Sequence, residues 1–149
     1  MDYIKIRFAD DVGTINADLQ ETLDEMFNMI SPMSYQRRQR VWKPQVDVYE
    51  TTDEFLILSE LAGVNRENLR IEIGRKTVKI YGIRREEVMS RNARYRLAEI
   101  PYGYFERNLS LPSPIDRESV EATLTEGLLH IRLAKLPIER VRNISIRTS

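Results

Sequence analysis

The chain has 149 residues, of which 42% are apolar and 31% charged, and its formal net charge is zero. This length suits one domain with flanking arms, and the absence of cysteine excludes disulfides and thiolate sites. No apolar run is long enough to span a membrane and the first residues carry no export signal, so we expect a cytoplasmic protein.

Residues 1–43 are predicted to form an N-terminal arm. Residues 1–30 carry two basic and seven acidic side chains, whereas residues 31–43 carry four basic and no acidic ones. Between about residues 15 and 30 the apolar side chains recur with helical spacing, which predicts one amphipathic helix, followed by a basic linker over 31–43. The apolar stripe of this helix includes Leu19, Leu23, Met26, Phe27 and Ile30.

A helix of this length is marginal alone in water, so its apolar stripe needs a partner. Three partners remain open: the body of the same chain, other subunits or proteins, and a membrane surface, which the acidic polar face disfavours. The linker residues Arg37, Arg38 and Arg40 belong either to a solvated segment or to a nucleic-acid contact. Because no basic face lies elsewhere to join them, we expect no nucleic-acid binding.

Residues 44–136 change to the alternating pattern of short strands separated by turns. The candidate strands lie around Val46–Val48, 54–61, Leu69–Ile73, 77–84, Tyr95–Leu97, 104–111, Val120–Leu124 and Leu129–Leu133. Many short strands with regular turns predict an all-β sandwich. Residues 137–149 form a short C-terminal extension.

A polar segment over residues 85–92 separates two of these strands and leads into the short strand around Tyr95. A long polar excursion that carries its own strand can reach beyond its own sheet, and an exposed strand edge invites pairing with another chain. The sequence therefore predicts strand exchange between subunits.

Catalytic patterns are absent from the sequence. His130 is the only histidine, and it alternates out of phase with Leu129 and Ile131, which predicts a surface position. The chain lacks a nucleophile elbow, a set of metal-ligand spacings and a phosphate-binding glycine loop. We expect no enzymatic activity, no metal and no cofactor.

Six segments between residues 44 and 146 occur in a recognisable order. They are Pro44–Thr51, Leu61-Ala62-Gly63-Val64, Gly82-Ile83-Arg84, the run from Glu99 to Pro112, Ala122–Leu129 and Ile144-Ser145-Ile146. Together they resemble the motifs of the small heat shock proteins, the α-crystallin family, in its bacterial and plant branch. Ala62, Glu126 and Leu128 depart from the family pattern, which has proline, asparagine and valine at these positions.

This resemblance implies an immunoglobulin-like antiparallel sandwich that forms dimers, and these dimers join into larger homo-oligomers. The strand around Arg94, Tyr95, Arg96 and Leu97 would swap onto the partner's edge near Val46 and Val48. In the tail, Ile144 and Ile146 would enter a groove of a neighbouring subunit. By family position, the groove lies between two strands and is formed by Leu69, Ile71, Ile73, Val120, Ala122 and Leu124.

Arg107 shares the alternating phase of Phe105 and Leu109, which is unusual for a charged residue. It lies either at a bend or strand end that exposes it, or in an ion pair at the dimer interface, as the resemblance suggests. Glu99 and Glu106 are candidate partners, and the sequence does not choose between them.

The resemblance also implies an ATP-independent chaperone that holds unfolding proteins and prevents their aggregation. The stripe of the arm helix would bind these clients, and ATP-dependent chaperones would refold them after release. Two other classes compete with this interpretation: a co-chaperone or structural sandwich that does not hold clients, and a nucleic-acid accessory protein that uses the basic linker.

Overall fold

The computed structural model describes residues 4–9, 41–87, 89–137 and 145–148. The predicted helix over residues 15–30, with its apolar stripe, lies outside these residues. So do Arg37, Arg38, Arg40 and the first isoleucine of the tail motif, Ile144. What the sequence predicts for these residues stays a prediction.

The described residues form eight strands and one short 3₁₀ helix, Arg66–Asn68. The strands are β1 (Lys5–Phe8), β2 (Val46–Glu50), β3 (Glu54–Glu60), β4 (Leu69–Ile73), β5 (Thr77–Arg84), β6 (Gly103–Ser110), β7 (Ile115–Thr125) and β8 (Leu128–Lys135). They form two four-stranded sheets, ordered β1-β4-β5-β6 and β2-β3-β8-β7. The predicted all-β sandwich is confirmed, and β1 alone pairs in parallel with its neighbour among these strands.

The core lies between the two sheets and follows from the alternation of the sequence. Side chains in one phase of β3, β4 and β8 point inward because successive residues of a strand face opposite sides. These side chains are nearly or fully buried: Phe55, Ile57, Leu69, Ile71, Ile73, Leu129, Ile131 and Leu133. Burying each of them contributes roughly 1.5–3 kcal/mol.

Two turns that carry motif residues contact each other at one end of the sandwich. The backbone N–H of Leu61 donates to the carbonyl oxygen of Gly127 at 2.7 Å. Gly127 has a φ of +78°, and a Cβ there would lie 3.0 Å from the Cα of Ala62. Glycine is therefore favoured at position 127 both by the backbone angle and by the close approach of the neighbouring turn.

Gly82 permits a second close approach, in the middle of the sheet. A Cβ at this position would lie only 2.0 Å from the carbonyl oxygen of Asn68, at the end of the 3₁₀ helix. The absence of a side chain lets the helix pack against β5, and Arg84 follows two residues later at the end of this strand.

The structure departs from the sequence interpretation at two places. The arm was expected to be helical or irregular, but residues Lys5–Phe8 form strand β1 and pair with β4. The predicted strand around Tyr95 is wrong for the single chain, in which residues 85–87 and 89–102 form no strand. A strand requires a neighbouring strand for its backbone N–H and C=O groups, and no described strand of the chain pairs with this segment.

Candidate functional site at the two edges of the sandwich

One edge of the second sheet is formed by β2. This strand pairs with β3 on one side, from Val46 opposite Ser59 to Glu50 opposite Phe55. On its other side β2 has no partner strand within the described residues. The predicted interface residue Val48 is 46% exposed and its neighbour Tyr49 is 55% exposed, whereas Val46 is half-buried.

The segment predicted to swap is exposed over its whole length. Arg94, Tyr95, Arg96 and Leu97 all lie in the long connection between β5 and β6. Leu97 is 75% exposed, and the Tyr95 hydroxyl donates a hydrogen bond to the carboxylate of Glu86. A segment with two exposed large apolar side chains that forms no strand of its own can extend an available sheet edge.

Arg84 holds the end of this connection in place. Its Nε donates to the carbonyl oxygen of Pro101 at 2.9 Å, and its Nη1 donates to that of Ala62 at 3.2 Å. The guanidinium carbon lies 4.1 Å from the centroid of the Trp42 ring, a cation–π contact. Burial lowers the pKa of Arg84 from its usual value. The connection thus leaves and rejoins the sandwich at one fixed point.

Arg107 lies on β6 opposite Ile80 and is half-buried. Among the described residues of this one chain it has no ion-pair partner. Glu106, one of the two candidates, forms an ion pair with Lys79 at 3.2 Å, and the other, Glu99, is exposed in the connection. An ion pair of Arg107 at a dimer interface stays a prediction.

The other candidate surface is the groove that the sequence resemblance predicts between β4 and β7. The predicted groove residues of β4, namely Leu69, Ile71 and Ile73, are fully buried. Those of β7, namely Val120, Ala122 and Leu124, are partly buried and pack against the same core.

Strand β1 occupies the edge of β4 that lies opposite β5. Ile6 lies opposite Ile71, and both Ile4 and Ile6 are partly buried against the core. Beyond the strand, Ala9 donates its N–H to Ile73 at 3.0 Å, and Arg117 of β7 donates to the carbonyl oxygen of Ala9 at 2.9 Å. The N-terminal segment is therefore hydrogen-bonded to both strands that border the predicted groove.

A buried carboxylate lies at this edge, on the outer face of the sheet. Glu72 is 1% exposed, and its Oε1 accepts a hydrogen bond from the hydroxyl of Tyr81 at 3.1 Å. Its other oxygen, Oε2, has no hydrogen-bond partner. Burial raises the pKa of Tyr81 well above its usual range, and the charge of Glu72 raises it further.

Sequence reasoning missed β1, although a signal was present. Apolar and basic residues alternate in Ile4-Lys5-Ile6-Arg7, as they do in other strands of this chain. The segment is only four residues long and isolated in an acidic arm, so its period alone did not distinguish it from an irregular segment.

His130 is exposed on β8, as its alternation predicts. Within residues 4–9, 41–87, 89–137 and 145–148, no three His, Asp or Glu side chains are placed to hold a metal ion. In the same ranges, no helix has the length and apolar character that crossing a membrane requires.

Comparison with known proteins identifies the family. The Hsp20/alpha crystallin family matches residues 47–147. The chain belongs to this family. This membership supports a chaperone-type function in the stress response, and it agrees with the resemblance of the six sequence motifs.

Individual relatives extend the likeness over most of the chain. Small heat shock protein C4 of Rickettsia felis is 28% identical over 130 residues, which cover 86% of this chain and 80% of the relative. Heat shock protein 16.0 from Schizosaccharomyces pombe matches with a TM-score of 0.60 and 28% identity over 71% of this chain and 99% of its own. A small heat-shock protein from Xylella fastidiosa also matches, with a TM-score of 0.60 and 26% identity over 73% of this chain and all of its own. The crystal structure of that protein reveals a distinct high order structure.

Proposed function

We propose that this protein is an ATP-independent holding chaperone that works as a dynamic homo-oligomer built from strand-swapped dimers. The observation that carries the dimer is the combination of a β2 edge that no described strand covers with an exposed segment around Tyr95 that forms no strand of its own. Each of these two features supplies what the other lacks, since pairing them satisfies backbone groups on both.

Charge supports the same pairing. The swapping segment carries Arg94 and Arg96, while the β2 edge carries Asp47 and Glu50, and all four are exposed. Opposite charges on two surfaces favour their encounter and fix their relative position. The exposed Leu97 and Val48 would then be covered together in the dimer.

The tail is proposed to join dimers into larger particles. Burying Ile144 and Ile146 in the groove between β4 and β7 would stabilise the contact by roughly 1.5–3 kcal/mol for each side chain. Ordering the tail would cost several kcal/mol of this gain. One contact is therefore weak, but many tails on one particle act together. Such an assembly stays intact overall and exchanges its subunits.

Unfolding clients are proposed to bind the apolar stripe of the arm, from Leu19 to Ile30. The charged surface of the body would keep a client-loaded particle in solution. A cytoplasmic location, the absence of a cofactor and of enzymatic activity, and the transfer of clients to ATP-dependent chaperones belong to the same proposal.

A double substitution tests the swapped dimer. Tyr95→Asp with Leu97→Asp places two charges on side chains that are exposed in the single chain, so the subunit itself should fold unchanged. Light scattering after size exclusion should then show a smaller particle than the native one. The matched control is Met89→Asp, at a side chain that is 90% exposed in the same connection. An unchanged mass for the double variant would rule out this dimer.

The holding activity is tested with a heat-labile client protein in the absence of ATP. The native chain should suppress light scattering of the heated client. Serine at Leu19, Leu23 and Phe27 should abolish most of the suppression without removing β1, and serine at the polar positions Gln20 and Asn28 serves as the control. Full protection by the first variant would exclude the arm as the client site, and no protection by the native chain would favour a sandwich that does not hold clients.

The tail contact is tested by Ile144→Ala with Ile146→Ala, which should shrink the particle to its dimer. Ser145→Ala, between the two isoleucines, is the control and should leave the mass unchanged. A particle of native mass in the double variant would contradict the proposed contact.

A further inference from the structure

The pattern Ile-x-Ile-Arg occurs twice in this chain. The first copy is Ile4-Lys5-Ile6-Arg7 and the second is Ile144-Ser145-Ile146-Arg147. The first copy includes β1 and lies along the edge of β4. Of the second copy, Ile146 is 87% exposed and Arg147 is exposed. The N-terminal copy thus occupies the edge at which the C-terminal copy is proposed to dock.

The isoleucines of the first copy face the core. Ile6 is paired in register with the fully buried Ile71, and Ile4, two residues earlier, lies on the same side of the strand. Both are partly buried against the core. Any segment with isoleucines two residues apart can make the same contacts along β4.

The arginine of the first copy lies next to the buried carboxylate. Arg7 is paired in register with Glu72, so their side chains project from the same face of neighbouring strands. Glu72 is 1% exposed, and its Oε2 has no hydrogen-bond partner. A buried carboxylate is costly without a cation or a donor, so this position favours a basic residue one place after the second isoleucine.

We propose that the β4 edge recognises Ile-x-Ile-Arg, with Glu72 as the residue that selects arginine, and that two segments of the chain compete for it. In its own subunit the edge is held by residues 4–7. The tail of a neighbouring subunit docks through residues 144–147 only where β1 has left. This inference rests on the tail contact of the proposed function and adds its regulation and its specificity.

The competition follows from tethering. A segment in the same chain acts at a high effective concentration, so β1 excludes a free tail segment even when the two bind with similar intrinsic strength. The release of β1 is also coupled to the arm, because β1 precedes the proposed client-binding helix in the chain. An assembly contact and the client surface would thus be linked through one strand.

Peptide binding to the full chain tests the competition. The probe is a fluorescently labelled peptide of residues 140–149, and the binding partner carries Ile144→Ala and Ile146→Ala so that its own tails do not interfere. Adding Ile4→Ala and Ile6→Ala should raise the peptide affinity, measured by anisotropy, by about tenfold or more. Lys5→Ala, at the exposed middle position of the same strand, is the control and should leave the affinity unchanged.

The same assay tests the role of Glu72 by a double-mutant cycle. A peptide with Arg147→Ala should bind about five- to tenfold more weakly to the chain with Glu72. The two peptides should bind equally to the Glu72→Gln variant, whose amide oxygen can still accept from Tyr81. Circular dichroism is used to check that this variant is folded.

The Arg7→Ala variant gives a further test of the competition. It weakens β1 without changing the core, so it should also raise the affinity for the native peptide.

The outcomes separate this inference from the proposed function. Equal peptide affinity with β1 intact and with β1 weakened would overturn the competition while leaving the tail contact in place. If the Arg147→Ala peptide lost the same affinity whether residue 72 is glutamate or glutamine, the selection of arginine by Glu72 would be overturned. No binding to any variant would overturn this inference together with the tail contact, whereas the holding of clients is decided separately by the client assay.

Discussion

The β4 edge and the β2 edge belong to the same sandwich, but another described strand covers only the β4 edge. At the β4 edge, Ile71 is fully buried and strand β1 of the same chain is paired alongside it. At the β2 edge, Val48 is 46% exposed and no described strand of the chain lies beyond it. One edge is covered by a strand of the same chain, and the other is the edge at which we propose that a second subunit pairs.

This difference shows two solutions to the same physical problem. An unpaired edge exposes backbone donors and acceptors and is a hazard for uncontrolled association. A local segment, β1, covers the β4 edge, and in the proposed competition it leaves before a tail binds. No described strand covers the β2 edge, and in the proposed dimer its acidic residues would select the basic segment of the partner. The first arrangement suits a regulated contact and the second a constitutive one.

The largest expected effect is the loss of stability when a side chain at each of the two edges is truncated. Ile71→Ala should lower the free energy of unfolding by about 2–5 kcal/mol, because a fully buried side chain leaves a cavity. Val48→Ala, at the exposed edge, should cost only about 0.5 kcal/mol. Urea unfolding followed by circular dichroism measures both, in the Tyr95→Asp/Leu97→Asp background so that association does not contribute. Equal costs would show that the two edges are equally covered within the subunit.

A smaller effect is expected at the buried carboxylate of the β4 edge. Tyr81→Phe removes the hydroxyl that donates to Glu72 Oε1 at 3.1 Å, and should cost about 1.5–3 kcal/mol at neutral pH because the acceptor is charged and buried. Tyr49→Phe, at the exposed β2 edge, is the control and should leave the stability unchanged. Thermal unfolding of the three chains at one protein concentration measures the difference.

The difference in stability between the native chain and the Tyr81→Phe variant should change with pH in a defined direction. Burial, and then the charge of Glu72, raise the pKa of Tyr81 in the folded chain. Above the ordinary tyrosine pKa of about 10, the unfolded chain releases this proton while the folded chain retains it, so the native protein loses stability as the pH rises. Tyr81→Phe lacks this loss, so the difference in free energy of unfolding between the native chain and the variant should narrow at alkaline pH. A difference that widens above about pH 10 would contradict the raised pKa of Tyr81.

The smallest expected effect lies away from both edges, in the turn between β7 and β8. Glu126 has a φ of +52°, a conformation that asparagine adopts more readily than glutamate. Glu126→Asn should therefore raise the free energy of unfolding by roughly 0.5–1 kcal/mol and leave the particle mass unchanged. Glu121→Asn, on a strand, is the control and should not stabilise the protein, as thermal unfolding will show.

Much of the fold could be predicted from particular residues. The alternation in Leu69–Ile73 and in Leu129–Leu133 placed the inward faces correctly, because a half-buried strand has a period of two residues. The turn at Glu126-Gly127 was visible because glycine marks positions with positive φ. The six ordered motifs identified the family, which the comparison confirms.

The edges could not be predicted in the same way. The isoleucines of β1 have the pattern of a strand, but their partner, β4, is more than sixty residues away in sequence. The segment around Tyr95 has an equally good pattern, yet it pairs with no described strand of the chain.

The sequence by itself therefore determined which residues can form strands, which faces turn inward and where the chain turns, since these depend on local period and backbone angle. Only the tertiary structure decided which edge is covered and by what. It placed Ile6 opposite Ile71 and Arg7 opposite Glu72, because pairing between distant strands depends on which backbone groups and apolar faces remain unsatisfied once the sandwich has formed.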